Sequence, residues 1–453
     1  MRLSAETSAV LKGAVARCDY DRVAQRVGIV HLGIGAFHRA HQAWYTDHAM
    51  AAGDRDFAIT GVSLRSSTVA EQLNPQDGLY TVTERSANGV ETRLIGAVHD
   101  VLVAPGQRRQ VIDRLAGPGV SIVSFTVTEK GYCRSADGSL DFAEVERDSF
   151  YPLLADALRQ RRAAGLAGLT LLSCDNLADN GRQLARLMSE YLARHEPQLR
   201  GWFEAECACP STMVDRIVPA TTDADRADLA ARTGLEDRGA VMTEPFSQWV
   251  IEDHFAGPRP RWERVGAELV GDVRPYETAK LRLLNGAHSL LAYCGLRRGH
   301  TFVHQAIADP VVRSLVEALM QHEAAPTVAA APGQDLTRYA ADLIARFANP
   351  ALNHRLIQIA MDGSQKLPQR WLKTLAINQQ NGRECPAILA GLASWIAHLR
   401  GANGPIDDPR AEVLRIAAGS PEPVAALFAP DGLLASDWNP SRADQDAIAS
   451  HLS

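Results

Sequence analysis

Side chains that can exchange protons or donate hydrogen bonds are concentrated in one short segment, which holds Glu277, Lys280, Asn285 and His288. The segment is predicted to be helical except at Gly286. At about 100° per residue, the four polar side chains share an arc of roughly 140° that also contains leucines. A mixed face of this kind indicates either a functional site or a half-buried helix with its polar groups at a solvated edge.

The four residue types suit the oxidation of an alcohol, or the reduction of a ketone, without a metal. Neighbouring leucines would desolvate Lys280 and lower its pKa towards the range of a general base. Asn285 can donate to a developing oxyanion without titrating, and His288 can hold a substrate hydroxyl. The segment is therefore the first candidate for a catalytic site.

Composition bounds the class of protein. The chain has 453 residues, of which 46% are hydrophobic and 22% are charged, and its formal net charge is −6. These values predict a two-domain globular protein and argue against a nucleic-acid or membrane partner. No apolar run reaches a membrane span, the N-terminus lacks a signal core, and seven scattered cysteines suggest reducing surroundings. We therefore expect a cytoplasmic protein, monomeric or weakly oligomeric.

A dinucleotide-binding unit is predicted near the N-terminus. An apolar strand, Val27–Leu32, leads into Gly33 and Gly35, and a helical run follows. Glycines at such a turn let backbone N–H groups approach a pyrophosphate at a helix N-terminus. The third glycine of the usual pattern is replaced by His38, so the match is incomplete. Arg39 could face a phosphate, or could be an ordinary exposed helix residue.

The second predicted strand, residues 57–64, leaves the choice of cofactor open. A strand in this position of an NAD site usually ends in an acidic residue that binds the ribose hydroxyls. Here Arg65 follows instead, and it could meet a 2′-phosphate. NAD is the expected cofactor, with NADP as the alternative.

Two further predicted strands, residues 120–127 and 169–172, are followed by polar residues. Ligands of α/β proteins bind at the carboxyl ends of such strands. Asn176, which follows the second of them, is either another oxyanion donor or a helix cap. Residues 214–219, which include Asp215, are predicted to connect a helix to a loop.

The β signals nearly vanish after Pro275, and apolar residues then recur at helical spacing. The predicted fold is therefore an α/β N-terminal Rossmann-type domain, residues 1–272, plus a mainly α-helical C-terminal domain, residues 273–453. In the second domain, Lys366 and Arg370 could supply charge to a substrate, or could lie in a solvated loop.

Together these segments resemble the long-chain mannitol dehydrogenase family of polyol-specific dehydrogenases, over nearly the whole chain. The resemblance is carried by residues 33–41, 126–132, 173–176 and 214–217, and by the spacing of Lys280, Asn285 and His288. It implies a metal-independent enzyme in which Lys280 is the general base. The other implied roles are oxyanion stabilisation by Asn176 and Asn285, substrate binding by His288, Asp215 and Lys366, with Arg370 as a further candidate, and proton gating by Glu277. The predicted cofactor-binding residues are Gly33, Gly35, Phe37, His38, Arg39, Arg65 and Glu129.

Departures from the mannitol dehydrogenase pattern bear on the substrate. This chain has Lys130 where those enzymes tend to have glycine, and Gln358 where they carry an arginine. Both features resemble the fructuronate reductase branch, which interconverts D-mannonate and D-fructuronate. An anionic sugar acid would be matched by Lys130, Lys366 and Arg370. A neutral polyol such as mannitol, arabinitol or sorbitol remains the alternative substrate.

Two other functions stay open on the sequence alone. Tyr276 and Lys280 fit the Tyr-x-x-x-Lys pair of short-chain dehydrogenases, in which the tyrosine is the base. That pair normally lies within a single Rossmann domain, whereas here it lies far downstream of Gly33. A non-catalytic sensor of a sugar or dinucleotide would need the same fold without a base, and the presence of Lys280, Asn285 and His288 argues against it.

Overall fold

The computed structural model describes residues 1–135, 137–351 and 353–452. The chain forms two compact units, Met1–Val273 and Arg274–Ser453. Among the described residues, none of the helices is both long and apolar enough to cross a membrane.

The first unit contains strands and helices in alternation. Its strands are β1 (Val15–Ala16), β2 (Val27–Leu32), β3 (Ala58–Ser63), β4 (Tyr80–Ser86), β5 (Gly89–Ile95), β6 (Val98–Val103), β7 (Ile122–Phe125), β8 (Thr170–Ser173), β9 (Thr212–Asp215), β10 (Val241–Thr243), β11 (Gln248–Glu252) and β12 (Glu268–Val270). Its α-helices are α1 (Ala36–Ala40), α2 (Gln42–Ala51), α3 (Thr68–Leu73), α4 (Ala104–Leu115), α5 (Thr128–Gly131), α6 (Phe142–Asp148), α7 (Tyr151–Ala163), α8 (Asn180–His195), α9 (Pro197–Glu206) and α10 (Asp223–Thr233).

The central sheet of this unit is parallel, with the strand order β6-β3-β2-β7-β8. The first of these five strands along the chain, β2, lies in the middle, and later strands are added on both sides of it. This is the Rossmann order, in which the point where the strand order reverses lies at the carboxyl end of the first strand. Nearly every residue of β2, β3, β7 and β8 is buried, because helices cover both faces of a parallel sheet.

Two smaller sheets complete the first unit. One has the order β1-β5-β4-β10 and includes the hairpin of β4 and β5, whose last pair is Ser86 with Gly89. The other has the order β12-β11-β9, in which β9 and β11 are antiparallel and pair Asp215 with Gln248. Asp215 is thus the last residue of a strand, and the predicted connection from a helix to a loop is wrong.

The second unit is helical, and no strand lies in its described residues, 274–351 and 353–452. Its α-helices are α11 (Arg274–Ala279), α12 (Asn285–Arg297), α13 (Val303–Ala308), α14 (Pro310–Ala318), α15 (Leu336–Phe347), α16 (Leu356–Ile359), α17 (Gly363–Leu367), α18 (Lys373–Gln380), α19 (Pro386–Leu399), α20 (Ala411–Ala418), α21 (Pro423–Phe428) and α22 (Arg442–Leu452). Helices α12 and α19 supply much of the core, in which Trp371, Trp395 and Trp438 are fully buried. The predicted fold class is therefore confirmed.

Three π-helical turns interrupt the helices of the second unit. They lie at Lys280–Leu284, Leu319–Ala324 and Pro368–Leu372. The first turn joins α11 to α12 without a break, and Gly286 lies inside α12. The prediction that Gly286 leaves the helix is therefore wrong, since a buried glycine is tolerated there by packing against its neighbours.

Candidate active site

The glycine turn after β2 requires glycine for steric reasons. Gly33 has a φ of +94°, and a Cβ atom at this position would lie 2.3 Å from the carbonyl oxygen of Thr126. The Thr126 hydroxyl donates to the Gly33 carbonyl at 2.7 Å, which fixes the turn against the end of β7. Gly35 precedes the first residue of α1, and a Cβ atom there would contact only the Gly33 carbonyl oxygen, at 3.8 Å. A backbone this bare suits the close approach of a dinucleotide pyrophosphate.

The side chains that follow the turn are placed differently from the prediction. His38 is fully buried and stacks on His31 with 3.4 Å between ring centroids. Arg39 is also buried, and its guanidinium donates to the carbonyls of Gly239 and Gly35. Its predicted phosphate-facing charge is thus directed into the unit and held there. Phe37 is half-buried and stacks on His41.

Three predicted site residues lie at the carboxyl edge of the parallel sheet. Arg65 is exposed just after β3, Glu129 is exposed in α5 after β7, and Asn176 is exposed after β8. Helix α8 begins only at Asn180, with Asp179 as its N-cap, so the alternative that Asn176 caps the helix is wrong. The structure brings these three residues to the edge that holds Gly33, whereas Asp215 ends a strand of another sheet.

The π-helical turn changes the geometry of the Lys280 segment. The Asn285 N–H donates to the Lys280 carbonyl five residues earlier as well as to that of Leu281. In an α-helix, residues five apart are offset by about 140° around the axis. A backbone hydrogen bond between residues five apart widens the turn, so that it holds about one extra residue. Lys280 and Asn285 therefore approach the offset of about 40° that residues four apart have in an α-helix. The predicted arc was too wide.

His288 lies one turn after Asn285 and is buried. Its Nε2 atom has no hydrogen-bond partner among the described residues. Its ring contacts the ring of His354, with 5.4 Å between centroids in an edge-on arrangement. Burial, followed by the neighbouring basic groups of His354, Arg370 and Arg346, lowers the pKa of His288 well below its ordinary value. The ring is therefore neutral near neutral pH and surrounded by basic groups.

Lys366 and Arg370 belong to helical structure rather than to a solvated loop. Lys366 lies in α17, and its amine donates to the Met361 carbonyl at 2.6 Å. Arg370 lies in the following π-helical turn and donates to the Asn285 carbonyl at 3.2 Å and to Ser289 Oγ at 2.9 Å. Burial lowers the pKa of both groups, that of Arg370 to about 10, and the charge of Arg370 further lowers that of Lys366.

Sequence reasoning missed two further groups, one in each unit. One is a pair of basic residues near His288. His354 lies two residues before α16, and Arg346 lies in the last turn of α15. The other is Asp175, whose buried carboxylate binds the loop after β7. Asp175 could be recognised in the sequence as the neighbour of Asn176. The groups that donate to it lie in the loop after another strand, so local sequence does not identify them. No cluster of three or more potential metal ligands was found among the residues that the structure describes.

Comparison with known proteins identifies the class of molecule. The fold matches the Pseudomonas fluorescens mannitol 2-dehydrogenase, solved as a ternary complex with NAD and D-mannitol, with a TM-score of 0.85 and 35% identity over 100% of this chain and 96% of that one. It also matches a substrate-free D-sorbitol dehydrogenase with a TM-score of 0.92 and 31% identity over 100% and 97% of the two chains. The protein is an oxidoreductase that acts on CH–OH groups of polyols or sugar acids, within an NAD-dependent class.

The family follows from the sequence matches. Residues 27–264 match the mannitol dehydrogenase Rossmann domain, and residues 272–432 match the mannitol dehydrogenase C-terminal domain. The chain belongs to the mannitol dehydrogenase family. It is 43% identical to an uncharacterized oxidoreductase of Escherichia coli (strain K12) over 420 residues, 88% of this chain and 86% of that protein. It is 41% identical to the D-mannonate oxidoreductase of the same organism over 453 residues, 95% and 93% of the two proteins.

Proposed function

We propose that this protein interconverts a sugar acid and its keto form, of the D-mannonate and D-fructuronate type, with NAD as cofactor. The observation that carries the proposal is the set of basic side chains around His288, namely His354, Arg370 and Arg346. A substrate carboxylate would offset the positive charge of Arg370 and Arg346, since an ionised acceptor binds guanidinium groups more strongly than a hydroxyl does. The similarity to a D-mannonate oxidoreductase supports the same substrate class.

The proposed chemistry assigns the proton to Lys280. In the direction of oxidation, the neutral amine of Lys280 removes the proton from the reacting hydroxyl. Asn176 and Asn285 donate to the oxygen as negative charge develops on it. His288 and Asp215 bind neighbouring hydroxyls, and Glu277, close to one turn before Lys280, passes the proton between the amine and water. The alignment of Lys280 with Asn285 supports this division of roles, because the base and the hydrogen-bond donor can then contact the same substrate oxygen atom.

The cofactor would be held by the bare backbone at Gly33 and Gly35, with Phe37, Arg65 and Glu129 nearby at the same sheet edge. When bound, the nicotinamide supplies the acceptor or donor of the hydride. Arg65 is exposed where an acidic residue would otherwise bind the ribose, so use of NADP is the alternative. The buried side chains of His38 and Arg39 support the turn from inside the unit, and their contribution to cofactor binding would be through the backbone.

A substrate panel tests the proposal. Initial rates are measured with D-fructuronate, D-fructose, D-mannonate, D-mannitol and D-sorbitol, each with NAD(H) and NADP(H). We expect kcat/KM for D-fructuronate to exceed that for D-fructose by at least about tenfold, the effect of one charged hydrogen bond. Equal or better turnover of the neutral ketose would overturn the assignment of the substrate.

Arg370→Met separates charge recognition from structural support. We expect kcat/KM for D-fructuronate to fall by about 10- to 100-fold and that for neutral substrates by much less. Arg338→Met is the matched control, since Arg338 is an exposed arginine of the same unit. Equal losses on charged and neutral substrates would mean that Arg370 acts only through its bonds to Asn285 and Ser289.

A neutral polyol is the second candidate substrate. Two observations favour it, namely the high structural similarity to a mannitol 2-dehydrogenase and to a D-sorbitol dehydrogenase. The charge of Lys366 is also balanced in part, because Asp362, Asp408 and Asp407 raise its pKa against burial and Arg370. The same panel distinguishes the two candidates.

A further inference from the structure

The loops that follow β7 and β8 are joined by one buried carboxylate. Asp175 Oδ1 accepts the N–H of Thr128 at 2.8 Å, and Oδ2 accepts the N–H of Val127 at 3.1 Å. Oδ2 also accepts the hydroxyl of Tyr132 at 2.9 Å. All three partners are donors, as an ionised carboxylate prefers. Asp175 is only 9% exposed, and burial raises the pKa of its carboxyl while these three hydrogen bonds act against that shift.

A hydroxyl relay extends this arrangement under the sheet edge. When Asp175 is ionised, the single hydroxyl proton of Tyr132 is donated to its carboxylate, which can only accept. In that state the Ser173 hydroxyl, 2.5 Å from the Tyr132 oxygen, donates to Tyr132. Ser173 and Tyr132 are both fully buried. The last residue of β8 is thus connected through Tyr132 to the residue that precedes Asn176.

The loop after β7 has a shape that needs such support. Thr128 has a φ of +66°, a left-handed conformation that a β-branched residue adopts only when its surroundings impose it. Gly131 closes the same turn, because a Cβ atom there would lie 2.8 Å from Val127. The turn carries Glu129 on its exposed tip. Strain of this kind concentrates at functional sites.

We propose that Asp175 is a positioning residue that fixes Asn176 relative to the Glu129 turn. Two exposed polar groups, one on each loop, share one buried anchor, so each is placed with respect to the other by three hydrogen bonds. The role of Asp175 rests on the proposed role of Asn176 as an oxyanion donor, and it does not depend on which sugar is the substrate. A displacement of about 1 Å at such a donor is enough to slow catalysis by about 100-fold.

Asp237 offers a matched control in the same unit. It is a buried carboxylate that accepts two backbone N–H groups, from Thr81 at 2.6 Å and Gly239 at 2.9 Å, and the Thr81 hydroxyl at 2.8 Å. It also accepts the Gln76 side-chain amide at 2.8 Å, and all of these partners lie in or just before β4 and β10, not in the loops after β7 and β8. Asp237→Asn therefore disturbs a comparable set of bonds without touching the loops that carry Glu129 and Asn176.

The experiment compares Asp175→Asn, Tyr132→Phe, Asn176→Ala and Asp237→Asn in the full chain. For each variant, kcat and KM are measured with NADH and D-fructuronate and with NADH and D-fructose, together with thermal unfolding. The deuterium isotope effect on kcat is measured with 4,4-dideuterated NADH. In Asp175→Asn, the side chain can accept only one of the two backbone N–H groups. Its amide nitrogen is itself a donor and cannot accept the other.

We expect Asp175→Asn to lower kcat by about 10- to 100-fold on whichever ketose is turned over, with the KM for NADH within about threefold and a larger isotope effect. Tyr132→Phe should change kcat in the same direction by less. Asp237→Asn should lower the Tm while leaving kcat within about twofold.

Four results would overturn the proposal. The first is a kcat of Asp175→Asn within about threefold of the wild type while Asn176→Ala loses activity. The second is an equal loss of kcat in Asp237→Asn, which would indicate general destabilisation. The third concerns the case in which Asp175→Asn does not fold. In that case, an unchanged kcat and isotope effect in Tyr132→Phe would contradict the positioning role of Asp175. Full activity of Asn176→Ala would instead reject the oxyanion role of Asn176, and the positioning role with it.

Discussion

The two units present their polar groups by different structural means. In the first unit, Gly33, Glu129 and Asn176 follow parallel strands, so the sheet itself brings their loops to one edge. In the second unit, Lys280 and Asn285 lie on one helix, and a π-helical turn brings them into line. A sheet edge gathers residues from distant parts of the chain, whereas a helix can only gather neighbours, and a local change in its pitch decides which neighbours face the same way.

Substituting the two asparagines tests whether both units contribute an oxyanion donor. We expect Asn176→Ala and Asn285→Ala each to lower kcat by about 100- to 1,000-fold, since each removes a donor to developing charge. Steady-state kcat and KM with the best ketose of the panel provide the measurement. Asn88→Ala and Asn381→Ala, at exposed positions of the first and second unit, are the controls. A loss confined to one unit would restrict oxyanion stabilisation to that unit.

Glu277→Gln tests the proton path within the second unit. We expect kcat to fall by about tenfold, because proton exchange with water slows while the groups that face the substrate are unchanged. The isotope effect on kcat should fall, since hydride transfer would become less rate-limiting. Glu317→Gln, on an exposed pair with Arg313, is the control. A pH–rate profile identical to that of the wild type would remove Glu277 from the mechanism.

Glu323 provides the smallest expected effect, on stability rather than activity. Its carboxylate accepts the N–H groups of Ala387 and Ile388, and burial raises its pKa to about 7. Because the folded pKa lies above the ordinary value of 4.5, this group favours the folded state most at low pH. Its contribution is lost as pH rises from about 4.5 through 7, up to roughly 3 kcal/mol.

The check is the free energy of unfolding of the wild type and of Glu323→Gln between pH 5 and 8. The glutamine does not titrate, so the difference in unfolding free energy between the two proteins should change with pH. The wild type should become less stable relative to Glu323→Gln as pH rises. A difference that is constant over this range would mean that Glu323 keeps its ordinary pKa in the fold.

Much of the first unit was predictable because its signals are local. The strand before Gly33 and the strands that end near Glu129 and Asn176 are short apolar runs bounded by polar residues, and such runs form a parallel sheet. The direction of the Arg39 side chain was not predictable. Its guanidinium is held by the carbonyl of Gly239, and a contact across 200 positions leaves no local signal.

In the second unit, the candidate residues were found by type and spacing, but their geometry was not. The sequence of the Lys280 segment is compatible with an ordinary α-helix, and the extra residue in its turn is accommodated by distant partners. Trp371 donates to the Gly286 carbonyl at 3.1 Å, and Arg370 donates to that of Asn285. Likewise, His354 contacts His288 only once the helices have packed.

The identity of the general base is tested most directly by the turnover of Lys280→Ala beside that of Tyr276→Phe, with NADH and the best ketose of the panel. We expect Lys280→Ala to lower kcat by about 1,000-fold or more, with partial recovery when a small primary amine is added, and Tyr276→Phe to stay within about threefold. Loss of turnover in Tyr276→Phe with activity retained in Lys280→Ala would contradict the assignment of Lys280 as the base.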